Sequence, residues 1–326
     1  MTETTRVVFD KYQVRKTKKQ KLGFIEYVEG IARAEGYAFN VEKGTFGAKN
    51  IVIGDPKSAR VVYTAHYDTC PVLPMPNFIT PKCFLLYLLY QLLLCAVIIL
   101  PVMALNYVLD LAAVQLYYLV PALTWDMVSM LSLLANYAVL ILLIWLLIAG
   151  PANKHTANDN TSGVTTLLDI MTTLPEDLRG EVAFVFFDLE EVGLVGSSSF
   201  AKAHKSEMKD KLLLNFDCVS DGDNFLFALC KGAQGYKGVI ESAYSSDSFS
   251  VEVLSRGVFY PSDQMCFPKG VGVAALKKTK LGILYMDRIH TPRDTIYKEE
   301  NVAHLALGSC RLAAMLCGEE ENLEKN

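Results

Sequence analysis

The sequence predicts an α/β fold: a mostly parallel, mixed central sheet flanked by helices, with a transmembrane helical hairpin inserted into it. Three observations carry that expectation. Short β-rich runs alternate with segments of helical periodicity over most of the chain, the pattern of consecutive βαβ units. Two of those runs, Val61-Val62-Tyr63-Thr64-Ala65 and the VAFVFF that follows Glu181, are apolar or β-branched throughout. Strands that do not alternate are buried on both faces, as parallel strands are. Between these two runs, over residues 84–152, the only charged residues are Asp110 and Asp126.

The elements follow in order. Phe24, Ile25, Val28 and Ile31 recur at helical spacing on a charged background, so an amphipathic helix is expected within residues 12–36. Residues 37–41, 50–53 and 60–67 read as strands, and Gly54-Asp55-Pro56 supplies the turn between the last two. After the apolar block, 164–174 reads as a helix, 181–187 as a strand, 197–204 as the start of a helix, 212–216 as a strand and 238–245 as a helix. Further strands are expected at 251–254 and 282–285, and a C-terminal helix at 301–317. Sheets of this kind bind ligands at the carboxyl ends of their strands.

The uncharged runs 84–109 and 127–149 each exceed the ~20 residues that cross a ~30 Å hydrocarbon core. Residues 110–126 form an apolar connector bounded by acids and carrying Tyr117, Tyr118 and Trp125. An odd number of crossings would place the two halves of one sheet on opposite sides of the bilayer. Two crossings with an interfacial or re-entrant connector are therefore expected, against the alternative of a buried hairpin in a soluble protein. The chain then divides into a discontinuous domain, 1–81 with 153–326, and a membrane insert, 82–152. Lys82 and Lys154 flank the domain side, whereas only Asp110 and Asp126 lie near the far side. The excess of basic residues on the inner side of membrane proteins then predicts an integral protein of the cell membrane with its globular domain in the cytoplasm.

Composition narrows the function. A formal net charge of −4, with no basic face and no aromatic-basic interleaving, gives no reason to expect nucleic acid. The N-terminal residues have no apolar core of the kind a signal peptide needs. The eight cysteines form no CxxC pair and several sit in apolar stretches, where a reduced thiol packs as a small hydrophobe.

Five segments place His or carboxylates at strand ends or at a helix start: Ala65-His66-Tyr67-Asp68, the ANDNTSG run 157–163, Asp188-Leu189-Glu190-Glu191, Asn215-Phe216-Asp217 and the IHTPRDT run 289–295. Each is ambiguous singly. A lone His near a strand end is usually structural, a Glu-Glu pair is usually a solvated face, and Asp at a helix start is usually a cap. Glu190 and Glu191, however, follow a strand that should be buried, where a ligand or a cation is the best justification for two acids. Five such segments on one sheet edge point to a common site.

The order His, Asp, Glu-Glu, Asp, His resembles peptidase family M28, the co-catalytic metallopeptidases, with glutaminyl cyclases as a divergent branch. The motifs AHYDT, ANDNTSG, FFDLEEVGLVGS, LLLNFD and IHTPRDT stand in the family's order, and the resemblance covers residues 18–316 apart from the insert. It implies two Zn²⁺ ions per chain, with Co²⁺ or Mn²⁺ as possible substitutes. Asp159 would bridge them, His66 and Asp217 would complete one site, and Glu191 and His290 the other. Glu190 would be the general base and Asp68 the carboxylate that orients His66. Imidazole and carboxylate suit zinc, and a metal pair activates water whose proton Glu190 would accept.

Two departures from the family stand out. The AHYD and NDN segments, usually joined by a short loop, are here separated by the whole insert, so the insert should emerge beside the metals. In Pro261-Ser262-Asp263-Gln264, Gln264 stands where the family's SDH motif has His; Asp263 and Gln264 are expected in the substrate-pocket wall. The function expected is hydrolysis of an amide bond by a membrane-anchored aminopeptidase acting on short or hydrophobic peptides. Hydrolysis of N-acyl or lipid-linked amides is the alternative, followed by glutaminyl cyclisation and a non-catalytic membrane scaffold. Partners are thus the lipid bilayer and a peptide or amide substrate that can itself be membrane-derived.

Overall fold

The computed structural model describes residues 1–73 and 75–324. Two short N-terminal helices, α1 (Glu3–Tyr12) and α2 (Lys18–Ala34), precede the first strands. Helix α2 opens with a reciprocal cap in which the Thr17 side chain accepts from the Gln20 N–H and Gln20 accepts from the Thr17 N–H. Strands β1 (Phe39–Lys43), β2 (Lys49–Ile53) and β3 (Val61–His66) follow, then the long helices α3 (Phe84–Leu119) and α4 (Trp125–Ala149). The chain returns through α5 (Gly163–Thr173), β4 (Val182–Phe187), α6 (Val195–Ala203), α7 (Lys205–Met208), β5 (Leu212–Phe216) and β6 (Asn224–Leu229). It closes with α8 (Lys237–Ala243), β7 (Ser250–Leu254), β8 (Gly270–Lys278), β9 (Leu284–Tyr285) and α9 (Glu299–Glu324).

The strands form one mixed sheet in the order β1-β2-β4-β3-β5-β8-β6-β7, with β9 on β8. Its middle is parallel: β4, β3, β5 and β8 run the same way. The outer pairs β1–β2, β2–β4 and β6–β8 are antiparallel. Strands β3, β4 and β5 are buried at every position, because helices cover both faces. On one face Val61, Tyr63, Phe184, Phe186 and Leu214 pack with Phe24 and Val28 of α2, Leu167 of α5 and Leu305 of α9. On the other, Val62, Ala183, Val185 and Leu213 pack with Phe200 of α6 and Met208 of α7. The non-alternating runs thus feed two cores at once. The carboxyl ends of β4, β3 and β5 lie side by side and open the site.

Helices α3 and α4 are long and apolar enough to cross a membrane, and of their residues only Leu94, Ala113 and Val128 are buried. They pair antiparallel as a hairpin. The Asp110 carboxylate of α3 accepts hydrogen bonds from Ser132 and, at 2.9 Å, from Asn136 of α4, and Tyr117 meets Trp125 edge to face near the tip. One expected boundary is corrected. The first apolar helix does not end at residue 109; it continues through most of the expected connector to Leu119. Residues 110–119 contain no breaker, and the helix stops only where Pro121 forces Val120 out of the helical region, at φ −121° and ψ 94°. The connector is the turn 120–124, and Thr124 caps α4 by accepting from the Met127 N–H.

The hairpin is tied to the sheet by the segments that lead into and out of it. Pro71 and Ala152 form an antiparallel bridge, as do Ile79 and Met286. The Tyr90 hydroxyl of α3 donates to the Pro76 carbonyl at 2.7 Å and the Gln91 amide to Asn77 at 2.9 Å.

Candidate metal centre

Strand ends and the loops next to them deliver the site residues. His66 ends β3 and Asp217 follows β5 directly. Glu190 and Glu191 follow β4 after Asp188, and Asp159 lies in the irregular turn that leads into α5. His290 lies in the loop after β9. The backbone is held in the left-handed region at Leu189 (φ 57°), Cys218 (φ 58°) and His290 (φ 63°). Such strained non-glycine positions cluster where side chains must be aimed at a site.

The geometry centres on Asp159. Its Oδ1 lies 3.3 Å from His66 Nε2, and its Oδ2 lies 3.0 Å from His290 Nε2. His66 Nε2 is also 3.4 Å from Asp217 Oδ1, and His290 Nε2 is 3.3 Å from Glu191 Oε2. One carboxylate thus divides its two oxygens between two sets, His66 with Asp217 and His290 with Glu191. Glu190 joins them: potential ligand atoms of His66, Glu190 and Glu191 all lie within 4.8 Å of one another. These side chains line a small cavity of about 80 Å³, whose remaining wall includes Asn77, Ile79, Tyr260 and Pro261.

A shell of hydrogen bonds sets the orientations. His66 Nδ1 points to Asp68, 3.2 Å from its carbonyl and 3.5 Å from Oδ1. The Asp68 carboxylate also accepts the backbone N–H groups of Glu190 (3.0 Å) and Glu191 (3.3 Å). It therefore fixes a histidine and the Glu-Glu turn together. The Asp294 carboxylate accepts the N–H groups of Asn158 (2.8 Å) and Asp159 (2.9 Å). Ser262 donates to Asp217 Oδ2 at 2.7 Å, and Asn160 donates to the Phe216 carbonyl at 2.9 Å. Behind the site, fully buried Arg15 donates to the Tyr67 carbonyl; burial lowers its guanidinium to about 10, against the pull of Asp68 and Asp159.

The electrostatics are those of an anionic cluster. Burial raises Glu190 well above the usual carboxylate range, and Glu191, Asp263 and Asp217 add repulsion that His66 only partly offsets. Burial likewise lifts Asp263 to about 7 and, with repulsion from Asp159, Asp294 to about 8. Burial alone would lower both histidines, but the facing carboxylates outweigh it and raise His66 and His290 well above their ordinary value. Glu191 Oε1 is buried without a hydrogen-bond partner. A buried, unpaired carboxylate oxygen among oxygen and imidazole donors is the environment that a divalent cation satisfies, so the residues fit a metal site. Cys70 Sγ lies within 4.8 Å of donor atoms of Glu191 and His290, but burial raises its thiol far above neutrality, which disfavours the thiolate that a ligand requires.

The structure thus brings together His66, Asp68, Asp159, Glu190, Glu191, Asp217 and His290. The two expected pocket-wall residues stand differently. Asp263 is fully buried, with its charge felt by Glu190. Gln264 is turned into the protein, donating to the Tyr260 carbonyl at 2.6 Å and accepting from Asn215 at 3.3 Å; Tyr260 and Pro261 form the cavity wall instead. Arg15, Asn160, Ser262 and Asp294 were not singled out from the sequence. Asp294 could have been, since it lies four residues after His290 in the same motif.

Comparison with known proteins agrees with this architecture. The sequence profile of Peptidase family M28 matches residues 132–314. No curated protein matches the chain significantly by sequence. Among solved structures, a leucine aminopeptidase precursor from Bacteroides thetaiotaomicron superposes with a TM-score of 0.56 at 13% identity, covering 95% of this chain and 94% of that one. The LapA aminopeptidase of Legionella pneumophila gives 0.54 at 12% identity, covering 95% and 69%. A glutaminyl cyclase from Porphyromonas gingivalis gives 0.54 at 15% identity, covering 96% and 99%. At these identities the likeness is one of fold.

Proposed function

Since the chain belongs to peptidase family M28, we propose that it is a membrane-anchored, zinc-dependent amide hydrolase of the aminopeptidase type, working with two metal ions. The observation that carries this reading is Asp159, whose two oxygens face His66 and His290 separately, with Glu190 beside them. His66, Asp159 and Asp217 would hold one cation, and His290, Asp159 and Glu191 the other. When bound, such cations supply Lewis acidity toward a carbonyl and lower the pKa of water.

The remaining steps belong to the chain's own residues. Asp68 accepts from His66 Nδ1–H and so leaves Nε2 free to ligate. Glu190, poised at the cavity, takes the proton from the attacking water and returns it to the leaving nitrogen. Bound cations would oppose the burial and the repulsion that raise Glu190 and favour its ionised, basic form. Helices α3 and α4 support membrane anchoring, and Lys82 and Lys154 at their domain ends support a cytoplasmic domain.

The test is turnover by detergent-purified, zinc-loaded protein of alanine and leucine p-nitroanilides, their N-acetylated forms and a glutaminyl peptide. Release from the free-amine substrates is expected. Cleavage of only the blocked forms would replace the aminopeptidase reading by acyl-amide hydrolysis. Ring closure of the glutaminyl peptide without hydrolysis would make the chain a cyclase.

A further inference from the structure

An apolar groove of about 460 Å³ lies where the hairpin meets the domain, within the size range of small-molecule sites. Ile98 and Pro101 of α3 form one wall and Leu146 and Leu147 of α4 the other; Val72 and Leu73 form its domain end. It is separate from the metal cavity, yet one short strip of chain joins them. Cys70 Sγ lies beside the donor atoms of Glu191 and His290. From there residues 70–73 run along 150–153: the Asn153 N–H donates to the Cys70 carbonyl at 3.1 Å, and the Val72 N–H to the Pro151 carbonyl at 2.9 Å. The Leu73 N–H donates to the carbonyl of His290 itself at 2.9 Å. Three residues of chain span at most about 10 Å, so the domain end of the groove lies no farther than about that from Cys70 and the metal donors beside it.

Resting on the amide-hydrolase reading above, we propose that this groove holds the alkyl chain of a membrane-borne amphiphilic amide, whose amide bond then reaches the metal donors along the 70–73 strip. The occupant follows from position. The groove is cut between two helices whose flanks are exposed and apolar. In a bilayer those flanks meet lipid chains, so an alkyl chain passes from the leaflet into the groove without crossing water. A charged or polar peptide would gain nothing from these walls. The chain can belong to the acyl side of the amide, as in an N-acyl amino acid, or to the leaving amine, as in an amino-acid alkylamide. Both present the same surface to the groove.

The experiment uses the full chain, zinc-loaded, in lipid nanodiscs, with N-acyl alanines and alanine alkylamides of 4 to 16 carbons. In at least one series kcat/KM is expected to rise about 10-fold or more between 4 and 12 carbons, since each methylene taken out of water into the bilayer, and on into the groove, adds favourable transfer free energy. Filling the groove by Leu147→Trp, or from the opposite wall by Ile98→Trp, should flatten that rise while 4-carbon turnover stays within about twofold. The series that responds identifies which side of the amide carries the chain. Equal rates at all lengths, or both variants lowering short and long substrates alike, overturn the proposal. A second readout does not need turnover: Glu190→Gln protein is photolabelled with a 12-carbon amide bearing a terminal diazirine. Label concentrated at residues 97–101 and 143–151 supports the groove, whereas label spread evenly over 84–149 means that ordinary lipid fills it. Absence of any hydrolysis together with concentrated label would sink the amide-hydrolase reading and leave the groove standing.

Discussion

Asp294 holds Asp159 by its backbone: the Asp294 carboxylate accepts the Asp159 N–H at 2.9 Å and the neighbouring Asn158 N–H at 2.8 Å. The turn that presents Asp159 to His66 and His290 is thereby pinned by a residue from the His290 loop, so the two halves of the candidate centre are mechanically joined. Asp294→Ala should leave Asp159 in place chemically but loosen its aim. Loss of such supporting partners costs about 10–100-fold in metal affinity or activity. Zinc competition against a chelating dye should show weaker binding of that order, with the fold retained by circular dichroism. Unchanged affinity would mean that the turn is held adequately by Asn160 and its bonds to the Phe216 carbonyl and Gly163 N–H.

Removing charge at the centre should separate binding from chemistry. Glu190 touches the cavity but is not needed in either set of donors around Asp159, so Glu190→Gln should keep the metal content and lose at least ~10²-fold in kcat. Asp159→Ala should lose both metals, because both sets depend on it, whereas Asp217→Ala disturbs only the His66 set. Elemental analysis after chelator-free purification distinguishes these outcomes. Near-normal turnover by Glu190→Gln would remove Glu190 from the proton-transfer role.

Much of this centre was legible in the sequence, and the reasons are local. His66, Glu190, Glu191 and Asp217 follow strands too apolar to lie anywhere but in the middle of a sheet, so their side chains had to emerge at its edge. Strands whose burial depends on neighbours were harder to read. Gly270–Lys278 is a central strand between β5 and β6, yet its Gly and Ala content gives weak β-propensity. Asn224–Leu229 is short and hidden between turn residues. Helix α1 was missed because only Thr5 and Val8 of its residues are buried. Arg15 looked like one more charge in a basic N-terminal run, and nothing local shows that it is buried behind Tyr67. Gln264 misled for the same reason: the motif fixes its place in the chain, whereas the space that Gly272 leaves without a Cβ lets its amide turn inward onto the Tyr260 carbonyl.

A stability effect is expected away from the metals. Burial raises Asp169, on α5, to about 6 from its ordinary 3.8, with the Thr2 hydroxyl and the N-terminal amine only partly offsetting it. A carboxyl whose folded pKa lies above its unfolded one costs nothing below pH 4. The cost grows as pH rises through 4 to 6 and is complete above. Asp169→Asn retains the oxygen that accepts from Thr2 at 3.3 Å and removes the charge. It should therefore stabilise the protein by about 1–2 kcal/mol at pH 7.5 and by almost nothing at pH 4. Thermal melts of the two proteins at both pH values check this, and an equal gain at pH 4 would show that charge burial is not the cause.

The hairpin's topology can be tested at its tip. Helix α4 has 25 residues, about 38 Å at 1.5 Å per residue, which exceeds a ~30 Å hydrocarbon core. Helix α3 is longer, at 36 residues, and its first turns lie against the domain through Tyr90 and Gln91. Asp110, the only acid inside either helix beyond its first turn, is not left bare: Ser132 and Asn136 across the hairpin donate to it, which is how a carboxylate is tolerated at membrane depth. Full spanning then puts the turn 120–124 on the face opposite the catalytic domain. With Ala122→Cys, a membrane-impermeant maleimide should label position 122 in intact cells. Lys57 and Lys205, on the domain, should react with an impermeant amine reagent only after permeabilisation. Labelling at 122 only after permeabilisation, alongside the two lysines, would show a hairpin that dips into one leaflet and returns without crossing.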